Sequence, residues 1–292
     1  MPRHVIASTL VTLALAAPAL AQPRIINGRL APHTAGQGLD RTFRDLVTAQ
    51  TEPAWIGYAV PITAGDRTMC CYGNGWMTSC GLEPPDTRGR IQDQPRTATI
   101  GPVRLEGPES MIVLYRVDEK AVQKIRTFTP DCELDAGGRT IHWLEGVAPA
   151  DSIALLASLV SRDEQKRDRV TNGALAAISM HRDPSADSTL IRLARQDASA
   201  KVRGEAIFWL AQKAGQKAAG EITAAIEQDP DTDVKKRAVF ALSQLPKDEG
   251  IPLLIQVARN NKNPAVRKQA MFWLGQTHDP RALDFFAEVL GR

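Results

Sequence analysis

From Asp151 onward, apolar residues return at one fixed spacing. Four segments, opening at Val170, Val202, Val234 and Val266, lie 32 residues apart, each with Val first, Ala four on and Leu or Ile eight on. Those offsets fall on one side of a helix of about 3.6 residues per turn, so each segment predicts a helix with a single buried seam. A breaker follows each helix: Asp183-Pro184, Gly215, Pro246 and Asp279-Pro280. A second apolar helix comes next, marked by Leu190/Leu193, Ile222/Ile226, Leu254/Val257 and Phe286/Val289. Two helices per ~32 residues cannot enclose a core alone, so neighbouring pairs must stack.

Before Asp151 the pattern is different. Ala54–Val60, Met111–Val117, Val122–Thr129 and Arg139–Leu144 read as strands. Asp118-Glu-Lys-Ala121 reads as a hairpin turn, and Gly137-Gly138 turns the chain into the last strand. Leu39–Gln50 has helical spacing, with Leu39, Phe43, Leu46 and Val47 opposite Asp40 and Arg44. Gln22–Gly38 is rich in Pro, Gly and Ala and reads as a flexible leader; Gly81–Arg96 reads as a long loop.

The chain start adds a compartment. Arg3 and His4 precede an apolar run, Val5–Ala17, and Ala19-Leu20-Ala21 offers a small-x-small cleavage site. This predicts a signal peptide over 1–21 and a periplasmic or secreted protein. No other stretch approaches ~20 apolar residues, so no membrane span is expected. The four cysteines, Cys70, Cys71, Cys80 and Cys132, all lie before Asp151. An oxidising compartment predicts disulfides. Bridging neighbours would strain the backbone, which leaves Cys70–Cys80 with Cys71–Cys132, or Cys70–Cys132 with Cys71–Cys80. Net charge is only +3, and the cations form no dense stripe, so no nucleic-acid partner is expected.

The pattern Val-Arg-x-x-Ala-x-x-x-Leu, with Asp-Pro turns between helices, resembles the short HEAT-like repeats named after phycobilisome lyases. The resemblance covers Asp151 to Arg292 and implies an α-superhelix with a scaffold or protein-binding role. Some members of that group attach bilins and others are di-iron hydroxylases that use His-Glu pairs in successive repeats. No His-Glu dipeptide exists in this chain. The expected fold class is therefore α+β: a small disulfide-containing β-rich N-terminal domain (39–150) followed by an all-α HEAT-like solenoid (151–292).

Ladders at the repeat period supply candidate site residues. Six residues beyond each leading Val stand Phe208, Phe240 and Phe272; ten beyond stand Gln212, Gln244 and Gln276; two beyond stand Lys236 and Lys268. With each Val at 0°, these positions fall at about 240°, 280° and 200°, while the buried seam centres near 40°. An apolar strip flanked by hydrogen-bonding and cationic groups is suited to holding a peptide or a protein edge. Trp209 and Trp273 fall toward the seam and read as core. Arg203, Lys235 and Arg267, each following a Val, read as helix-start ion pairs.

Other constellations carry less chemistry. Asp131, Glu133 and Asp135 precede Gly137 with calcium-loop-like spacing, but the Gly is one place late and His142 stands where a Glu ligand belongs. After residue 21 the histidines, His33, His142, His181 and His278, are scattered singly. No catalytic residue, metal or cofactor is expected. The expectation is a non-catalytic scaffold or protein-binding module of the cell envelope. The alternative is an enzyme of the lyase/oxidoreductase branch. The last helix is apolar on two sides, through Leu283, Phe286 and Leu290 and through Phe285 and Val289. Either the N-terminal domain covers it or it forms a homodimer.

Overall fold

The computed structural model describes residues 22–36, 38–63, 69–73, 76–83, 108–160 and 167–291. The expected signal peptide (1–21) and most of the expected loop (84–96) lie outside these residues.

The N-terminal part is built from sheets. A mixed five-stranded sheet runs in the order β2 (Arg29–Thr34), β10 (Thr140–Glu145), β3 (Ala54–Pro61), β7 (Ser110–Asp118), β8 (Ala121–Phe128). A parallel three-stranded sheet runs β1 (Arg24–Ile26), β9 (Glu133–Asp135), β6 (Cys80–Gly81); β4 (Cys71–Gly73) and β5 (Trp76–Thr78) form a small hairpin. The β7–β8 turn puts Glu119 and Lys120 at φ 50° and 57°, the two left-handed residues that a tight hairpin matching strand twist demands.

The central strands β3 and β7 are buried on both faces, and side-chain alternation sorts the sheet's residues between two cores. Trp55, Ala59, Ile112, Leu114, Ile141 and Trp143 face the small sheet and the cysteines. Ile56, Tyr58, Val60, Met111, Val113, Tyr115 and Leu144 face α1 (Leu39–Ala49), α2 (Pro149–Ser158) and the helical half. The cysteines pair as Cys70–Cys132 and Cys71–Cys80, one of the two combinations that the sequence left open.

Residues 24–34 correct the expected flexible leader. They form β1 and β2, which pair in parallel with β9 and β10. Ile25, Ile26, Leu30 and Ala31 are half-buried in these pairings, and their short apolar pairs were hidden by the surrounding Pro and Gly.

Helices follow in pairs. A π turn (Arg167–Thr171) leads into α3 (Asn172–Met180) and α4 (Pro184–Gln196); then come α5 (Ala200–Ala214) and, after a 3-10 turn, α6 (Ala219–Gln228). The last pairs are α7 (Thr232–Ser243) with α8 (Lys247–Asn260), and α9 (Pro264–Gln276) with α10 (Pro280–Leu290). First helices pack in one row, α3 on α5, α5 on α7 and α7 on α9, with the second helices alongside. The seam is buried at every period: Val170/Ala174/Ile178, Val202/Ala206/Leu210, Val234/Ala238/Leu242 and Val266/Ala270/Leu274. Asp183, Asp231, Asn263 and Asp279 cap four of these helices through their side chains, each satisfying otherwise orphaned amides.

The sheet closes the start of this row. Gly173 at the head of α3 lies so close to β8 that a Cβ would sit 2.7 Å from the Ile125 carbonyl. Ile62 makes a bridge with His181, and one continuous core runs from Tyr58 to Phe285. This answers part of the question about the last helix. The N-terminal sheet packs on α2, α3 and the π turn, whereas α10 packs on α8 and α9. Phe285 is buried there beneath the Arg259 guanidinium, while Leu283 and Leu290 are 65% and 83% exposed.

Candidate functional site

The row of first helices sets the phenylalanines side by side, because residues 32 apart occupy the same angular position on helices that pack against each other. Phe208 and Phe240 are stacked, with ring centroids 5.7 Å apart and planes within 5°. Phe240 then meets Trp273 at 4.8 Å, and Phe272 stands edge-on to Trp273 at 5.0 Å. Trp209 stands edge-on to Phe208 at 5.1 Å. The result is one continuous aromatic strip along α5, α7 and α9. Such contacts contribute about 0.5–1.5 kcal/mol per pair beyond area burial.

Exposure grades along the strip. Phe208 and Phe240 are half-buried by their neighbours, while Phe272 is 53% exposed. Gln244, Gln276 and Lys268 are exposed; Gln212 and Lys236 are half-buried. Lys236 Nζ lies 2.8 Å from Asp233 Oδ1, a pair one helical turn apart on the surface. Lys268 has no ion partner among the described residues. The tryptophans pack against the core, as the angular reading expects, and also reach the strip. Both are only half-buried and belong to the strip, and both indole N–H groups lack a hydrogen-bond partner. They fall at the edge of the seam, where one ring side meets the core and the other meets the phenylalanines.

The basic ladder has a different purpose. Arg203 Nη1 donates to the Asp197 carbonyl, Lys235 Nζ to the Glu227 carbonyl and Arg267 Nη1 to the Asn261 carbonyl. Each cation therefore caps the C-terminus of the preceding second helix, where unpaired carbonyls and the helix dipole favour positive charge. Only Arg203 adds the expected ion pair, to Asp229 at 2.7 Å. Sequence reading missed the matching ladder Asp197, Asp229 and Asn261, whose side chains accept from the amides two residues on. The Asx residue at one period was the available signal.

Histidines that look scattered in sequence are not isolated in space. His33 Nε2 and His142 Nδ1 lie 2.9 Å apart across β2 and β10, and burial, His33 and Arg29 hold His142 below its ordinary value. His181 is fully buried, with Nδ1 2.7 Å from the Ala177 carbonyl and Nε2 2.8 Å from Ser152 Oγ. Ser152 Oγ lies 2.8 Å from the Tyr58 hydroxyl, which lies 2.5 Å from that of Tyr115. Nδ1 faces an acceptor and so carries the proton. Nε2 is therefore the acceptor, and the chain runs one way: Tyr115 donates to Tyr58, Tyr58 to Ser152, Ser152 to His181. Burial pushes Tyr58 up to about 12 and His181 down to about 4. Ser152 and His181 have the separation of a nucleophile and its base, but both are sealed in the core. The chain ties sheet to helix.

Within the calcium-like run, Asp135 and Asp131 have other neighbours. Asp135 accepts from Asn27 Nδ2 and the Gly137 amide. Among the described residues, Asp131 gathers only with Cys70 and Cys132, whose sulfurs are bonded to each other.

No curated protein matches this chain. Among solved structures, an X-ray structure of YibA from Escherichia coli is similar at 23% identity over 48% of this chain, with a TM-score of 0.34. The match takes in 53% of the YibA chain, so this protein spans about half of its length. A family model described as HEAT repeats matches residues 219–292. Helices α6 to α10, which carry Phe240, Phe272 and Trp273, are thus similar to HEAT repeats, and these suggest a protein-interaction or scaffold role.

Proposed function

We propose that this protein is a non-catalytic binding module of the cell envelope whose all-α solenoid, residues 151–292, holds a protein partner along the aromatic strip. The observation that carries the reading is the strip itself. Rings from α5, α7 and α9 are in continuous contact, end at a half-exposed Phe272, and are bordered by exposed Gln244, Gln276 and Lys268. Aromatic anchors set among hydrogen-bonding groups are the recurrent energetic centres of protein interfaces. The likeness of residues 219–292 to HEAT repeats supports a binding role. The apolar run after Arg3 and the two cysteine pairs support an exported protein.

The test places a photoreactive side chain at position 272 and, as control, at Gln256, exposed on α8. Irradiation of cells carrying the full chain is expected to give a discrete protein adduct from 272 alone. Equal labelling from both positions, or none from 272, overturns the strip as a binding site.

A further inference from the structure

The helices of the strip row are basic, whereas the second helices are mixed in charge. In the strip row, α5, α7 and α9 each have a net charge of +2 from their Lys, Arg, Asp and Glu residues. In the other row, α4 carries +1, α6 carries −2, α8 is neutral and α10 carries −1. Much of the positive charge is committed: Arg203 to Asp229, Arg237 to Glu205, and Lys235 and Arg267 to helix-end carbonyls. Of the two cations beside the rings, one is weakly committed and one is not. Lys268 is exposed without an ion partner among the described residues, and Lys236 is held only by the 87%-exposed Asp233, a pair that water leaves weak. Both stand two residues beyond the leading Val, so they follow the phenylalanines at the same 32-residue step.

We infer that the partner held by the strip is an extended protein segment that alternates apolar or aromatic side chains with Asp or Glu. This rests on the strip being the binding site. Apolar side chains of the segment would lie over Phe240 and Phe272, and carboxylates would reach Lys236 and Lys268. Gln244 and Gln276 offer amides to its backbone. The second helices offer no comparable run of positive charge, and α6 and α10 are net negative, which favours the strip side for such a segment. One unpaired lysine and one weakly paired lysine are too few to follow a phosphate backbone, so the arrangement favours an acidic peptide over nucleic acid.

The experiment uses the full chain with the photoreactive group at 272, alone and combined with Lys236→Glu and Lys268→Glu. Circular dichroism confirms that the fold is kept. Charge reversal is expected to lower adduct yield by about tenfold or more, and mass spectrometry should map the attached peptide to an acidic, apolar-rich stretch. Unchanged yield, or a neutral or basic attached stretch, overturns the acidic partner and leaves the strip standing. An adduct destroyed by nuclease also overturns it. Absence of any adduct at 272 removes the strip and this inference together.

Discussion

His181 makes the stability of this protein depend on pH in a calculable way. Its ring is sealed between α3 and α2, with one nitrogen on the Ala177 carbonyl and the other accepting from Ser152. Burial lowers its pKa from 6.5 to about 4; nearby Lys213 adds to the shift and Asp183 opposes it. Above pH 6.5 both folded and unfolded chains are neutral here, so the full contribution is present. As pH falls from 6.5 toward 4, the unfolded chain takes up a proton that the folded chain refuses, and stability is lost. The loss reaches about 2 kcal/mol near pH 5 and saturates at about 3 kcal/mol below pH 4. Urea unfolding near neutrality and again near pH 5, on the native chain and on His181→Gln, isolates the effect. The amide of Gln can still accept from Ser152 but does not titrate. The native chain should lose about 2 kcal/mol more than the variant between the two conditions. His142 contributes equally to both and cancels. Equal losses would mean that His181 takes up protons freely, and the one-way hydrogen-bond chain would be wrong.

Four further outcomes follow from particular contacts. Gly173→Val puts a side chain into the Ile125 backbone and should cost about 2 kcal/mol in chemical denaturation. Replacing Cys70 and Cys132 by Ser opens a link between residues 62 apart and should cost about 4 kcal/mol, against about 2.5 kcal/mol for Cys71 and Cys80, read as a shift in the denaturant midpoint. Arg203→Ala leaves the Asp229 carboxylate buried without its partner, at 7% side-chain exposure, and should cost about 3 kcal/mol. Phe272→Ser removes a half-exposed ring and should change stability by less than about 1 kcal/mol, while the photo-adduct from a reactive group at position 276 disappears.

The helical half was legible because its repetition is geometric: Val, Ala and Leu at one period must share an environment, and the buried seams show that they do. The strands around Tyr58 and Tyr115 were legible for a similar reason, as long runs of β-forming residues. β1 and β2 were not, because strands of three and six residues with Pro32 and Gly28 around them make too few apolar pairs to register. The His33–His142 contact and the Tyr115-to-His181 chain join residues about 109 and 66 positions apart. No local pattern encodes such meetings; only the parallel pairing of β2 with β10 and the docking of α3 on β8 create them. The strip was half legible. Period alone located Phe208, Phe240 and Phe272, and the angular assignment put Trp209 and Trp273 against the core but did not show that they also meet the phenylalanines. A bulky indole at a seam edge spans both environments.

Because the sheet seals one end of the helix row and α10 leaves Leu283 and Leu290 bare at the other, the molecule has a direction. Helix α10 packs on α8 and α9, so changes to its outer face leave the contacts of the sheet untouched. Insertion between β8 and α3 has no such freedom, since the Gly173–Ile125 contact tolerates nothing in between. With the contacts of the sheet, the first helices of the row are therefore held on two sides, whereas α10 is held on one.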